Sequence, residues 1–258
     1  MTKHAIILAA GKGSRLEPQE GHKLLVEIDG RTMLQRHLAN FQELGVTDVT
    51  VVVGWEHRVL ERALAEATVP EGISLHTAIN PAFEGNLGLS VLVGVDQARR
   101  NSSIGRPVPF WLTMSDHIYQ PTLFERLAEV FAERRPEDAE AMLAVDGQIN
   151  ELFDVPDATK LRVDEAGRVE EIGKRVDDFD WADTGLFWCG EGFVEALDDL
   201  RRQHGDGFKT AAAVHALDHR GALWLWDIGD ARWQDVDTPE ARRHAEAHAD
   251  WWRTSPAT

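Results

Sequence analysis

Two hydrophobic patterns alternate along the chain. Short continuous apolar runs stand at residues 4–10 (HAIILAA), 48–54 (DVTVVVG), 73–79 (ISLHTAI), 107–116 (PVPFWLTMSD) and 140–146 (EAMLAVD). Runs of that length without polar alternation predict strands buried on both faces. Between them, apolar residues recur every three or four positions. In TMLQRHLANFQELG (32–45) Met33, Leu34, Leu38, Phe41 and Leu44 share one helical face, closed by Gly45. EHRVLERALAEA (56–67), LGLSVLVGVDQARR (87–100) and PTLFERLAEVFAERR (121–135) also read as helices, the last with Pro121 near its first turn. This alternation predicts an α/β domain, a Rossmann-like, mostly parallel sheet with right-handed crossovers and helices on both faces.

Beyond about residue 154 the pattern changes. TKLRVDEAGRVEEIGK (159–174) predicts a hairpin turning at 165–167, and DWADTGLFWC (180–189) a further strand. GFVEALDDLRRQHG (192–205) predicts a helix. GALWLWDIG (221–229) and ARWQDVDT (231–238) read as strand then turn, and TPEARRHAEAHADWW (238–252) as a helix capped by Thr238 with Pro239 at its first position. No Pro/Gly/Ser-rich linker or internal repeat interrupts the chain. We therefore expect one domain over residues 1–258: a nucleotide-binding half to about 150, then a half that completes the sheet, adds a small β-rich, lid-like substrate region and completes the metal site.

In an open α/β sheet, ligands gather at the carboxyl ends of the strands. Residues 10–23, 80–88 and 115–117 all follow predicted strand ends. The first of these, AGKGSRLEPQEGHK, is neither a P-loop nor a full dinucleotide fingerprint. Gly11 and Gly13 are two apart, no Lys-Ser/Thr pair follows at the required distance, and Leu16 occupies the third glycine position. Its physical content is a glycine-rich turn whose backbone N–H groups form an anion nest, with Lys12, Arg15 and, further on, Lys23 as cationic donors. That concentration of cations suits a group carrying several phosphates.

Charge sharpens this reading. The 258 residues carry 44 acidic against 27 basic side chains, a formal net charge of −17. Such a balance argues against a nucleic-acid partner and against an anionic membrane surface. Lysine is scarce beside arginine, so a lysine inside a glycine loop stands out. No run approaches the ~20 apolar residues of a membrane helix, and no signal peptide is evident. The single cysteine, Cys189, excludes an intrachain disulfide and suits a reducing compartment; the expectation is a cytoplasmic protein.

Carboxylates at the same rim predict a metal. Asp116 follows a strand end in TMSDHIY, and Asp235 and Asp237 follow another in WQDVDTP. Mg²⁺ prefers one or two carboxylates together with substrate phosphate oxygens, and one carboxylate from each element suits that arrangement. Turn and cap duty explains each Asp taken alone, Asp237 above all.

LAAGKGSRL followed by HKLLVEIDGRTML resembles the signature of sugar-nucleotide pyrophosphorylase-type nucleotidyltransferases, L-A-A-G-x-G-x-R then P-K-x-L-x-x-x-x-G, with His22 in place of the usual Pro. TMSDHIY, DATKLRVDEAGRVEEIGKRVDDFDWADTGLFWC and WQDVDTPEARRHAE extend the resemblance to the inositol-1-phosphate cytidylyltransferase branch, from Ala5 to about Ala247. The resemblance implies a GT-A-like fold, Mg²⁺ as cofactor, and CTP and a phosphorylated polyol as substrates. It implies a nucleotide site made of Leu8, Ala9, Ala10, Gly11, Lys12, Gly13, Ser14, Asn80, Gly85, Asn86, Ser90 and Ser115. Arg15, Lys23 and Lys174 become the catalytic cations, with Lys174 on the incoming phosphate and Lys160 a weaker candidate facing solvent. Asp116 and Asp235 or Asp237 hold the metal, and His117, Asp183, Thr184 and Gly185 meet the acceptor.

Simpler duties stand beside these. Asn80, Gly85, Asn86 and Ser90 suit a turn and helix cap, and a strand bulge explains residues 183–185. His117 suits a structural role equally well. Trp224, Trp226, Trp233, Trp251 and Trp252 suit core packing or a homodimer contact, and Cys189 an inert buried thiol. Phosphocholine, a phosphonate or a sugar 1-phosphate remains open as acceptor, as does another base. A non-catalytic nucleotide-binding homologue is the competing class.

Overall fold

The computed structural model describes residues 2–13, 15, 22–84, 87–102, 109–133 and 139–253. The first half runs β1 (His4–Ala9), β2 (Glu27–Ile28), β3 (Arg31–Thr32), α1 (Met33–Glu43), β4 (Asp48–Val53), α2 (His57–Ala65), β5 (Ser74–Ile79), α3 (Leu87–Asn101), β6 (Phe110–Met114), β7 (His117–Tyr119), α4 (Thr122–Glu133) and β8 (Ala141–Asp146). The second half adds β9 (Lys160–Val163), β10 (Val169–Gly173), β11 (Trp181–Cys189), α5 (Glu191–His204), α6 (Thr210–His219), β12 (Leu223–Asp227), β13 (Trp233–Asp235) and α7 (Pro239–Ala247).

Among the described residues one nine-stranded sheet organises the chain. β6, β1, β4 and β5 are parallel neighbours in that order, and β12 is parallel to β8. β11 lies between β6 and β8, antiparallel to both, and its first residues also pair with the β9–β10 hairpin. The sheet is thus mixed at its centre and parallel through the nucleotide half.

β1 shows why the apolar runs are continuous. Ala5, Ile7 and Ala9 join a core containing Leu38, Phe41, Leu60 and Phe124. Ile6 and Leu8 join the opposite core with Val91, Leu92, Phe193 and Leu217. Successive side chains of a strand point to opposite faces, so a doubly covered strand must be apolar at every position. α1 starts at a capping box. Gln35 N–H donates to Thr32 Oγ1 at 3.1 Å, and Thr32 N–H donates to Gln35 Oε1 at 2.9 Å.

Several elements carried no expectation. β2–β3 is a two-residue-per-strand hairpin and β7 has three residues, both too short for a period. α6 is built largely of alanines, which favour helix but mark its buried face weakly. A single 3₁₀ turn, Lys23–Leu25, follows the glycine loop.

Candidate active site

A cavity of about 570 Å³ opens at the carboxyl ends of the parallel strands. Leu8, Gly11 and Gly13 reach it from the end of β1, and Ser115, Asp116 and His117 from the end of β6. β13 closes the rim. It pairs antiparallel with β7, placing Asp235 opposite His117, and Val236 N–H donates to the Asp116 carbonyl at 2.7 Å. That small ladder brings Asp116 beside Asp235 and Asp237, more than a hundred residues away in sequence.

The cations converge on carboxylates. Lys23 Nζ lies 2.6 Å from Asp116 Oδ2 and 3.5 Å from Asp237 Oδ2. Arg15 pairs with Asp157 at 2.6 Å and also with Asp237. Lys174 Nζ lies 2.6 Å from the other oxygen of Asp157. Asp157 was not among the sequence candidates. It heads the resembling segment DATKLRV, in the turn before β9, where no periodicity marks it and the resemblance assigns it no role. Gly13, at φ +59°, lets the loop close over the Lys23 stem; a Cβ there would lie 3.2 Å from Lys23 Cγ.

Ligand atoms of Asp157, Asp235 and Asp237 lie within 4.8 Å of one another. Asp237 is almost fully buried, and its Oδ1 has no hydrogen-bond partner. Burial, followed by the neighbouring carboxylates, pushes Asp235 up to about 6 against the pull of His117. A buried orphan oxygen and a desolvated carboxylate within one acidic group fit a divalent cation. Asp116 is differently placed. Burial alone would raise it, but the hydrogen bond from His117 Nδ1 at 2.9 Å and the Lys23 ammonium outweigh burial and hold it far below the usual carboxylate range. His117, in return, is raised by Asp116 despite its own burial.

The wall opposite the glycine loop holds His117, Asp183, Gly185 and Lys174. The β11–β8 register shifts between Asp183 and Phe187, so Asp183 and Gly185, which line the cavity, belong to a strand irregularity. Gly185 has φ +73°, and a Cβ there would meet His117 Cδ2 at 2.8 Å. Asp183 accepts the Gly185 N–H at 2.8 Å, and burial pushes its carboxyl up to about 6.

Several expectations change. Trp233, assigned to packing, lines the cavity, stacks on His117 at 5.5 Å and donates its indole N–H to Asp146 at 2.8 Å. Trp226 and Trp252 are core residues. Lys160 is buried instead of solvent-facing; its ammonium donates to the Lys174 carbonyl at 2.9 Å and so braces the turn carrying Lys174. Thr184 is fully buried, donating to the Ala144 carbonyl and accepting at its own carbonyl from Tyr119, so its side chain does not meet an acceptor.

Asn80 and Ser90 are buried and bonded to each other at 2.9 Å, and Asn80 Oδ1 accepts the Ala82 N–H. They shape the turn and do not line the cavity. Lys12 leans away, 3.5 Å from Glu84 and 4.5 Å from the Trp55 ring centroid. The carbonyls of Ala9 and Ala10 accept from His22 Nε2 and Trp55 N–H. Ser14, Gly85 and Asn86 lie outside the described residues. Cys189 is buried in the second core, and burial raises its thiol far above its ordinary value.

A mostly parallel sheet bearing a cavity of about 570 Å³, lined by cations and carboxylates at its carboxyl edge, is the arrangement of a nucleotidyltransferase-type domain. The model of the MobA-like NTP transferase domain matches residues 5–175, and the chain belongs to that family. Among curated relatives, the bifunctional IPC transferase and DIPP synthase of Rubrobacter xylanophilus is 31% identical over 97% of this chain and 53% of its own length. The protein of that name from Aquifex aeolicus is 26% identical over 93% of this chain and 50% of its own. The chain thus spans about half the length of these relatives.

Solved structures show the same fold. The inositol-1-phosphate CTP transferase of T. maritima superposes with a TM-score of 0.74 at 21% identity, over 97% of this chain and 96% of that one. A glucose-1-phosphate thymidylyltransferase-like protein from Bacillus anthracis gives 0.79 at 17% identity over 98% of each chain. No helix of the described residues is long and apolar enough to cross a membrane.

Proposed function

We propose that the chain is a Mg²⁺-dependent cytidylyltransferase that moves CMP from CTP to inositol 1-phosphate, giving CDP-inositol and pyrophosphate. One observation carries the reading: cations from three separated segments, Arg15, Lys23 and Lys174, meet on one carboxylate cluster in a single cavity. The names of the curated relatives, which match nearly the whole of this chain, support the choice of base and acceptor.

In this reading the glycine loop and Arg15 hold the CTP triphosphate, and Lys23 stabilises charge growing on the α-phosphate. Lys174 orients the acceptor phosphate. One of its oxygens forms the bond to the α-phosphorus in line, the bond from that phosphorus to the bridging oxygen breaks, and pyrophosphate leaves with the electron pair. Such transfer depends on positioning and charge neutralisation and needs no covalent nucleophile. Asp235 and Asp237, with Asp116 or Asp157, would hold the cation, which supplies neutralisation of the nucleotide's phosphate charge. Asp183 and His117 face the polyol. Residues 1–150 form the nucleotide half of one domain and 151–258 the acceptor half, and the buried lone thiol supports a reducing, cytoplasmic setting.

Pyrophosphate release tests the reading, with each of four nucleoside triphosphates against inositol 1-phosphate, phosphocholine, a phosphonate and a sugar 1-phosphate. Release dominated by CTP with inositol 1-phosphate is expected. Release with another pair would replace the substrates, and silence throughout would favour a non-catalytic nucleotide-binding homologue.

A further inference from the structure

The residue before Lys23 makes two contacts that the transfer chemistry does not use. His22 Nε2 lies 2.9 Å from the carbonyl of Ala9, at the root of the glycine loop, and its Nδ1 lies 3.3 Å from the backbone N of Leu24. A carbonyl only accepts and an amide N–H only donates, so Nε2 carries the hydrogen and Nδ1 is bare. The ring therefore spans from the end of β1 to the 3₁₀ turn Lys23–Leu25.

We infer that His22 is a positioning residue of the nucleotide site, its ring tying the turn that carries Lys23 to the root of the glycine loop. The inference rests on the nucleotide-binding reading of that loop.

Three observations support it. His22 has φ −79° and ψ 136°, backbone that proline also adopts, so the ring replaces by two hydrogen bonds the stiffness of the Pro that the resembling signature carries here. Lys23 packs beneath Gly13 and reaches Asp116 at 2.6 Å, so a shift of its turn disturbs both loop and cation. The clip also works only while the ring is neutral, because a proton on Nδ1 would face the Leu24 N–H. Burial lowers the ring below its ordinary 6.5, helped by Lys23 on its own turn and opposed by the Ala9 carbonyl and by Asp116 from the turn after β6.

The test has two arms. Nitrogen-15 NMR of the histidine side chains, with His22 assigned through His22→Gln, should show the Nε2–H tautomer titrating below 6.5. Calorimetry of CTP binding should show His22→Phe, which keeps the ring's bulk and loses both bonds, weaker by about tenfold near neutral pH. His22→Gln, with a donor and an acceptor, should stay within about threefold of the wild type and lose the wild type's weakening in acid. An Nδ1–H tautomer, or a folded Phe variant that binds CTP with wild-type affinity and pH profile, overturns the inference. Correct tautomer without CTP binding by the wild type would leave the clip but remove the nucleotide reading, and the positioning role with it.

Discussion

The carboxylate of Asp157 bridges Arg15 and Lys174, one oxygen 2.6 Å from the guanidinium and the other 2.6 Å from the ammonium. Two cations that would otherwise repel across the cavity are held by one acid, lowered by both despite partial burial. That acid also belongs to the carboxylate group suited to a cation. Asp157→Asn should raise the Mg²⁺ concentration for half-maximal activity by about tenfold or more, as loss of a supporting carboxylate does at metal sites. A Mg²⁺ titration of pyrophosphate release reads this, and an unchanged midpoint would free Asp157 from the site.

Asp116 has a separate task. It anchors Lys23 and His117 at the end of β6. Asp116→Ala should cut turnover by about a hundredfold or more while circular dichroism stays that of the wild type. Wild-type-like turnover would remove Asp116 from the machinery.

Lys174 lies on the acceptor wall, its backbone braced by Lys160. Lys174→Met should raise KM for inositol 1-phosphate by at least about tenfold and leave KM for CTP within about twofold. Steady-state kinetics with each substrate varied in turn decides it; equal effects on both would place Lys174 on the triphosphate.

Asp235 links the site to stability. Its carboxyl is held at about 6 in the fold against an ordinary 3.8, so the ionised form is disfavoured in the native state. Asp235→Asn in chelator should therefore stabilise the protein above about pH 6, by roughly 2–3 kcal/mol at most. The gain should shrink as pH falls toward 4, where the acid is protonated folded and unfolded alike. Thermal melts across that range read the effect. The same variant should lose most of the Mg²⁺-induced rise in Tm.

Much of this was legible in the sequence. The doubly buried strands are continuous apolar runs because both faces of β1 and β4 are covered, and Thr238 and Pro239 mark the start of α7 as they should. The glycine loop, Lys23, Asp116 and the Asp235–Asp237 pair are local motifs at strand ends. Asp157 and Trp233 were not legible as site residues. Their roles come from tertiary partners: Arg15, 142 residues from Asp157, and His117, brought under the indole by the β13–β7 ladder. Asn80, Ser90 and Thr184 are the reverse case. Each follows a strand end or flanks a bulge, yet each polar group is already bonded within the protein.

The most direct measurement is phosphorus-31 NMR of the reaction of CTP and inositol 1-phosphate with Mg²⁺ and the full chain. The cytidylyltransferase reading requires a new pyrophosphate diester, CDP-inositol, appearing in equal amount with free pyrophosphate, and at least about a hundredfold more slowly in the Asp116→Ala variant. CTP and inositol 1-phosphate left unchanged by an enzyme that releases pyrophosphate with another pair would contradict it.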